Sequence, residues 1–364
     1  MIVIGADTHK STHTCGAVFA ASGQLAGELT APAREPGFRE LLAWGRGLDA
    51  ERIWAIEDCR HVSGSLERFL VAAGERVVRV PPKLMGESRR GERTAGKSDA
   101  IDALAVARAA LREGPENLPA AHLDAEALEL KLLLDHREDL VKARSEDQQR
   151  LRWHLHDLWP ELELPARCLD RVVWLERLAR KLSRAEQVTR VKIARELVAE
   201  IRRRTRRAKE LEAQIATRVE EQAPQLLELE GCGALTAAKL VAETAGAARL
   251  ASDAKFARLA GVAPIPASSG KRVRYRLDRG GNRQLNCALH RIAVTQGRMH
   301  PPARTYLARK QAEGKSRREA LRCLKRHLAR RVWQLLIKSE IDLSMSNPVH
   351  PQRGSLAPQV AAVA

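Results

Sequence analysis

The chain has 364 residues, 44% of them hydrophobic and 3% aromatic, which is enough for two or three domains with cores of Leu, Val, Ala and Ile. A formal net charge of +18 argues against cationic partners and favours a polyanion, nucleic acid first. No apolar run reaches the ~20 residues that cross a bilayer, no basic leader precedes a long apolar stretch, and six scattered cysteines without a CxxC pair exclude a zinc ribbon or disulfide framework; the expected location is cytoplasmic, with no membrane partner.

In chain order, "MIVIGAD" is a strand ending at Asp7, and "TCGAVFA" and "QLAGELTA" flank the turn "ASG" as an antiparallel hairpin. "FRELLAWGRGL" reads as a helix, "RIWAIED" as a strand, "SGSLERFLVAAG" as a helix closed by Gly74, and "RVVRV" as a strand stopped by Pro81 and Pro82. A helix opening at Asp99 completes a β-β-β-α-β-α-β-α order, an α/β domain assigned to residues 1–150. From Asp124 to Glu221 the chain is almost all helix former, interrupted at "WPELELP". Leu197, Ile201, Ala208, Leu211 and Ile215 follow an a/d spacing that Arg204 and Arg218 interrupt, so residues 151–222 form either a coiled-coil arm or a plain helical hairpin. A mainly helical unit, 223–342, opens with Gly231 and Gly233 in a turn that resembles a helix-hairpin-helix, where backbone N–H groups approach a phosphate; an ordinary αα-corner uses the same glycines. The tail, 343–364, is Pro-, Ser- and Ala-rich and is expected to be disordered.

Basic charge is concentrated in the last third. Between Pro264 and Trp333 there are 19 Lys or Arg and 3 acids, Asp278, Glu313 and Glu319. Within that segment Ser268 and Ser269 sit in "PASSGKRVRYRLDRGGN", beside Lys271, Arg272, Arg274, Arg276 and Arg279. Such a loop is either a turn next to a phosphate-binding patch or a serine nucleophile whose attack those cations assist.

Four carboxylates form the other candidate set. Asp99 and Asp102 are i, i+3 and share a helix face, with Ser98 placed to cap; a favourable acidic first turn explains them equally well. Asp7 and Glu57 each end a strand, and if those strands are neighbours both acids lie at one sheet end, where the helix could bring Asp99 and Asp102 to meet them. Four converging carboxylates repel unless cations neutralise them, and oxygen-only ligands suit Mg²⁺ or Mn²⁺. Two such ions ~4 Å apart clamp the attacking and leaving oxygens of a phosphodiester.

"GADTHK", "IED" and "KSDAIDA" resemble the Asp-Glu-Asp-Asp motifs of RuvC-like, RNase-H-fold domains, and more closely those of IS110-family insertion-sequence transposases. The resemblance implies that Asp7, Glu57, Asp99 and Asp102 are the metal-binding set. Lys97, just before the helix, is either a phosphate contact or a solvated helix-start lysine. "SSGK" followed by "RGGN" is similar to the second motif of that family, which implies Ser268 as nucleophile and Ser269 as runner-up, with Gly280, Gly281 and Asn282 shaping the loop. The family further implies DNA cleavage and rejoining through a phosphoserine link, a structured non-coding RNA guide, and a homodimer or homotetramer. Two readings compete: a metal-dependent Holliday-junction-type resolvase using the carboxylates and water, and a non-catalytic nucleic-acid-binding protein.

Overall fold

The computed structural model describes residues 1–57, 60–81, 84–85, 98–121, 124–268, 275–276, 278 and 280–346. They divide into two units, Met1–Ala125 with Ala245–Asn286, and Glu126–Thr244 with Cys287–Ala364. The linear division drawn from sequence therefore differs from the observed one at two places: residue 150 lies inside a helix, and 245–286 cluster with the N-terminal sheet.

The first unit is built on a five-stranded sheet of order β3-β2-β1-β4-β5. β1 (Ile2–Thr8), β2 (Thr12–Phe19) and β3 (Leu25–Pro32) form an antiparallel meander; β4 (Arg52–Glu57) and β5 (Val77–Val80) add on parallel to β1. Helices α1 (Glu35–Leu48), α2 (Arg60–Ala72) and α3 (Asp99–Glu113) complete the expected β-β-β-α-β-α-β-α order. β1 is buried along its whole length, which is why it reads as a continuous apolar run, whereas the edge strand β3 alternates.

Period-two alternation splits the strand residues between two cores. Ile2, Ile4, Ala6, Trp54 and Ile56 pack with Phe38, Leu41, Leu66 and Leu70 of α1 and α2. Val3, Ile53, Ala55, Val78 and Val80 pack with Ala105, Val106, Ala109 and Ala110 of α3. On the first face the buried Glu75 accepts hydrogen bonds from Arg46, Arg52 and the Trp54 indole. Burial pushes its carboxyl up, but those bonds outweigh it and hold the carboxyl below the usual range.

α3 lies closest to the sheet at a pair of glycines. Gly5 and Gly16 are register partners on β1 and β2. A Cβ on Gly5 would fall 2.1 Å from the Ala103 carbonyl oxygen and 2.4 Å from the Ala107 nitrogen; one on Gly16 would meet the Leu104 side chain at 2.9 Å. Helix backbone and strand backbone therefore touch. Ser98 caps α3 by accepting from Ile101 N, and Gly114, at φ 78°, closes it.

The segment 245–286 joins this unit through Arg249, which donates to the Ala120 carbonyl at 2.8 Å, and Lys255, which donates to Asn117 Oδ1 at 2.6 Å.

The second unit contains α4 (Ala125–Leu158), α5 (Val172–Arg184), α6 (Thr189–Gln222), a one-turn helix at Pro224–Leu227, and α7 (Ala234–Thr244). After α8 (Asp253–Leu259) and the two-stranded β6 (Ile265–Pro266) and β7 (Tyr275–Arg276), which belong to the first unit, α9 (Arg283–Met299), α10 (Pro301–Ala312) and α11 (Arg317–Ser346) follow. The seam of α6 runs through Val191, Ala194, Val198, Ile201, Thr205, Ala208, Leu211, Ile215 and Val219. It passes through Val198 rather than Leu197, and Thr205 takes the place beside Arg204. Its first half packs within the same chain, on Leu151, Leu155, Leu175, Leu178 and Leu182. α11 extends to Ser346, so the first residues of the expected tail are helical; 347–364 lie outside the described residues. Among the described residues, no helix is long and apolar enough to cross a membrane.

The close approach of strand and helix at Gly5 sets a measurable cost. Gly5→Ala is expected to lower the unfolding free energy by about 3 kcal/mol, since the obstacle is backbone. Gly47→Ala, exposed on α1 with open space around it, is expected to raise it by about 0.5 kcal/mol. Denaturant titration of the two variants reads both values.

Candidate functional site

The same strand face that carries Val3 and Gly5 ends in Asp7. β1 and β4 pair in register up to Ala6↔Ile56, and Glu57, following Ile53 and Ala55, ends β4 on the α3 side of the sheet, although the group at ligand spacing holds Asp7, His9 and Asp99 without it. α3 runs antiparallel to β1: its Ala107 and Ala103 sit at Gly5, and its first turn, with Asp99 and Asp102, reaches the end of the strand. The helix N-terminus, where the dipole favours negative charge, is thereby aimed at the carboxyl ends of two parallel strands.

Asp7 is buried, at 6% exposure, and so is Asp102, also at 6%. Asp99 is exposed and Glu57 half-buried. Burial pushes the Asp7 carboxyl up; Asp102 and Asp99 push it further, and His9 opposes them without cancelling the rise.

The residue absent from the sequence-based set is His9. Its Nε2 lies 3.0 Å from Asp7 Oδ2 and 3.4 Å from Asp99 Oδ1. Ligand atoms of Asp7, His9 and Asp99 all lie within 4.8 Å of one another, a spacing that fits one metal ion. His9 N donates to the Thr12 carbonyl at 3.0 Å, so the turn into β2 holds this histidine at the strand end. The signal was present in "GADTHK": two residues beyond Asp7, a side chain returns to the same face.

The serine segment lies in the same unit as the carboxylates. Ser268 is exposed, two residues beyond Pro266 of β6. Arg276 is exposed on β7, opposite Ile265. Below them the chain is clamped. Gly281 packs on Gly261 so tightly that a Cβ would fall 2.1 Å from Gly261 N. Asn282 caps α9 by accepting from the backbone of Gln284 and Leu285, Asn286 donates to the Ala260 and Gly261 carbonyls, and Asp278 accepts from Gly280 N. Gly280, Gly281 and Asn282 therefore tie the chain that follows β7 to residues 260–261. Lys97, Ser269, Lys271, Arg272, Arg274 and Arg279 lie outside the described residues.

In the Gly-Cys-Gly turn, Gly231 has φ 83° and lies against Thr295 of α9, at 3.0 Å from a would-be Cβ; Gly233 faces open space. Close packing on α9 accounts for Gly231, and Gly233 is the member open to an approaching group.

Residues 4–160 match the IS110 DEDD transposase family model, and residues 223–308 match the model described as transposase IS116/IS110/IS902 family. The chain is 27% identical over 382 residues to the uncharacterized 42 kDa protein of insertion element IS900 from Mycobacterium paratuberculosis, covering 91% of this chain and 94% of that one. It is 26% identical over 380 residues to the uncharacterized 44.8 kDa protein of insertion element IS116 from Streptomyces clavuligerus, covering 92% and 94%. Over 114 residues it is 37% identical to the uncharacterized 43.6 kDa protein of insertion element IS110 from Streptomyces coelicolor, covering 30% and 28%.

The crowding at Asp7 predicts an inverse relation between stability and charge. Stability from a carboxyl with a raised pKa is complete below about pH 4 and is lost as pH rises through the raised value. With chelator at neutral pH, Asp7→Asn is expected to melt above the unsubstituted protein, the gap closing toward pH 4. A lower melting temperature for the variant would contradict the crowding described here.

Proposed function

This chain belongs to the IS110 family of insertion-element transposases and is a DNA transposase; on that premise we propose that it cuts and rejoins DNA at a composite site made of the carboxylates around Asp7 and the serine of the β6–β7 hairpin. The observation that carries the reading is the gathering of Asp7, His9 and Asp99 at the end of the central strand, with Asp102 buried close enough to raise the Asp7 pKa. The sheet order, an antiparallel meander extended by two parallel strands, supports an RNase-H-like, RuvC-like fold for the first unit.

Asp7, Asp99, Asp102 and Glu57 would hold Mg²⁺ or Mn²⁺, with the His9 imidazole as a nitrogen donor within reach. When bound, the cation neutralises these carboxylates and polarises a phosphodiester oxygen. Ser268, with Ser269 as the alternative, supplies the nucleophile: its Oγ bonds to phosphorus while the bond to a sugar oxygen breaks, and the serine proton ends on that departing oxygen. Attack by a different strand's sugar hydroxyl reverses the exchange and frees the serine, so phosphodiester energy is conserved and no nucleotide is consumed. Arg276, with Lys271, Arg272, Arg274 and Arg279, offsets charge on the phosphorane-like state. Lys97 and the Gly231–Gly233 turn contribute further phosphate contacts. A structured non-coding RNA selects the DNA sites, and because four strands must be cut, the working form is a dimer or tetramer.

Two measurements test this. On labelled DNA with Mg²⁺, a denaturing gel should show a covalent protein–DNA adduct that falls at least about a thousand-fold in Ser268→Ala and in Asp7→Ala. Cleavage that survives Ser268→Ala with no adduct would replace this mechanism with the water-using resolvase reading. By calorimetry, His9→Ala should weaken Mn²⁺ binding by about 10- to 100-fold, the usual effect of losing a partner at a metal site.

A further inference from the structure

Helix α11 lies beyond both matched stretches, and it packs on α10. Between His300 and Trp333 the chain carries 11 Lys or Arg and 2 acids, Glu313 and Glu319. Several of these cations collect around one ring. Half-buried Tyr306 has the Arg309 guanidinium 5.3 Å and the Lys310 Nζ 5.7 Å from its centroid. His327, exposed on α11, meets the same ring edge-on, with centroids 5.2 Å apart and planes at 82°. Glu313 is within ion-pair distance of both Lys310, at 2.8 Å, and Arg309, at 3.9 Å.

Three titratable neighbours report the sign of the local potential. Burial holds the His327 imidazole below its ordinary value, and Arg330, Arg326, Lys310 and Arg309 lower it further. Buried Lys325 is lowered by burial and then by Arg322. His290 is lowered by burial and then by Lys325. Burial is the larger cause in each case; the added lowering by neighbouring cations reflects the positive charge that an approaching anion would meet. Arg322, Arg326 and Arg330 recur every four residues, so they line up about 6 Å apart along α11.

We propose that the α10–α11 face is a docking surface for the phosphate backbone of duplex DNA, gripped by Arg309, Lys310, Arg326 and Arg330 and separate from the residues that do the chemistry. The occupant is duplex DNA because the family acts on DNA and the patch is dominated by charge: the half-buried Tyr306 ring is already engaged by Arg309, Lys310 and His327. Contacts to phosphate hold and orient DNA without reading its sequence. The inference rests on the transposase family and not on the serine or the metal.

The test measures binding of the full-length protein to a random-sequence duplex across a range of salt. Arg309 and Arg330 are exposed, so R309Q/R330Q leaves the core alone. It should shallow the slope of log K against log salt by about 2, near 0.9 for each phosphate no longer neutralised, and weaken binding at least about tenfold at about 0.1 M salt. R309K/R330K keeps both charges and should keep the slope. An unchanged slope in R309Q/R330Q overturns the proposal, as does an equal loss in the lysine variant, which would point to packing. A loss seen with single-stranded RNA and not with the duplex overturns it in favour of an RNA partner. Should the glutamine variant melt early, NMR of the unsubstituted protein decides: duplex must raise the His327 pKa, and no rise overturns the proposal.

Discussion

Strand β1 and helix α3 meet backbone to backbone because Gly5 and Gly16, side by side in the sheet, leave no side chain between them and the residues of the helix. That contact sets the distance from sheet to helix, and the distance sets everything at the strand end. Just before Ala103 comes Asp102, and one helical turn before it comes Asp99; one alternation beyond Gly5 comes Asp7. An alanine at position 5 would lift the helix and draw its first turn away from the strand. The small residues of α3, which read in the sequence only as helix-formers, are therefore the means by which distant acids become neighbours.

The assembly stores opposing forces. Burial and two nearby carboxylates disfavour an ionised Asp7, while the N-terminus of α3 and the His9 imidazole favour it. The balance leaves the group unsatisfied as it stands. A fold tuned for stability alone would place an amide or an apolar residue there. An imbalance of this kind, at the end of two parallel strands, is what the proposed cation would relieve.

Much of this was legible in the residues. Alternation and turn chemistry disclose the order of strands and helices over residues 1–113, because Gly, Pro or Ser marks most of the turns between them. Asp7, Glu57, Asp99 and Asp102 could be singled out because acids at strand ends and helix starts are conspicuous. His9 was not, since a histidine in a polar turn has many ordinary explanations, and only the fold shows it reaching both Asp7 and Asp99. The α6 seam moved from Leu197 to Val198, since the helix presents its β-branched residue to Leu175 and Leu178 and leaves the leucine partly outside. Gly231, which read as part of either a phosphate-binding turn or an ordinary αα-corner, lies against Thr295, a relation between residues too far apart in the chain for spacing to reveal. Least legible was the return of 245–286 to the sheet unit, where Arg249 and Lys255 donate to Ala120 and Asn117 more than a hundred residues away in the chain.

The excursion from Glu126 to Thr244 begins and ends on helices tied to each other, Lys131 of α4 to Glu243 of α7 at 2.8 Å and Glu138 to Lys239. A segment cinched where it leaves and re-enters can gain or lose turns at its far end while the cinch holds its two ends together. The two ion pairs thus hold the ends of this stretch against each other whatever the number of residues between them.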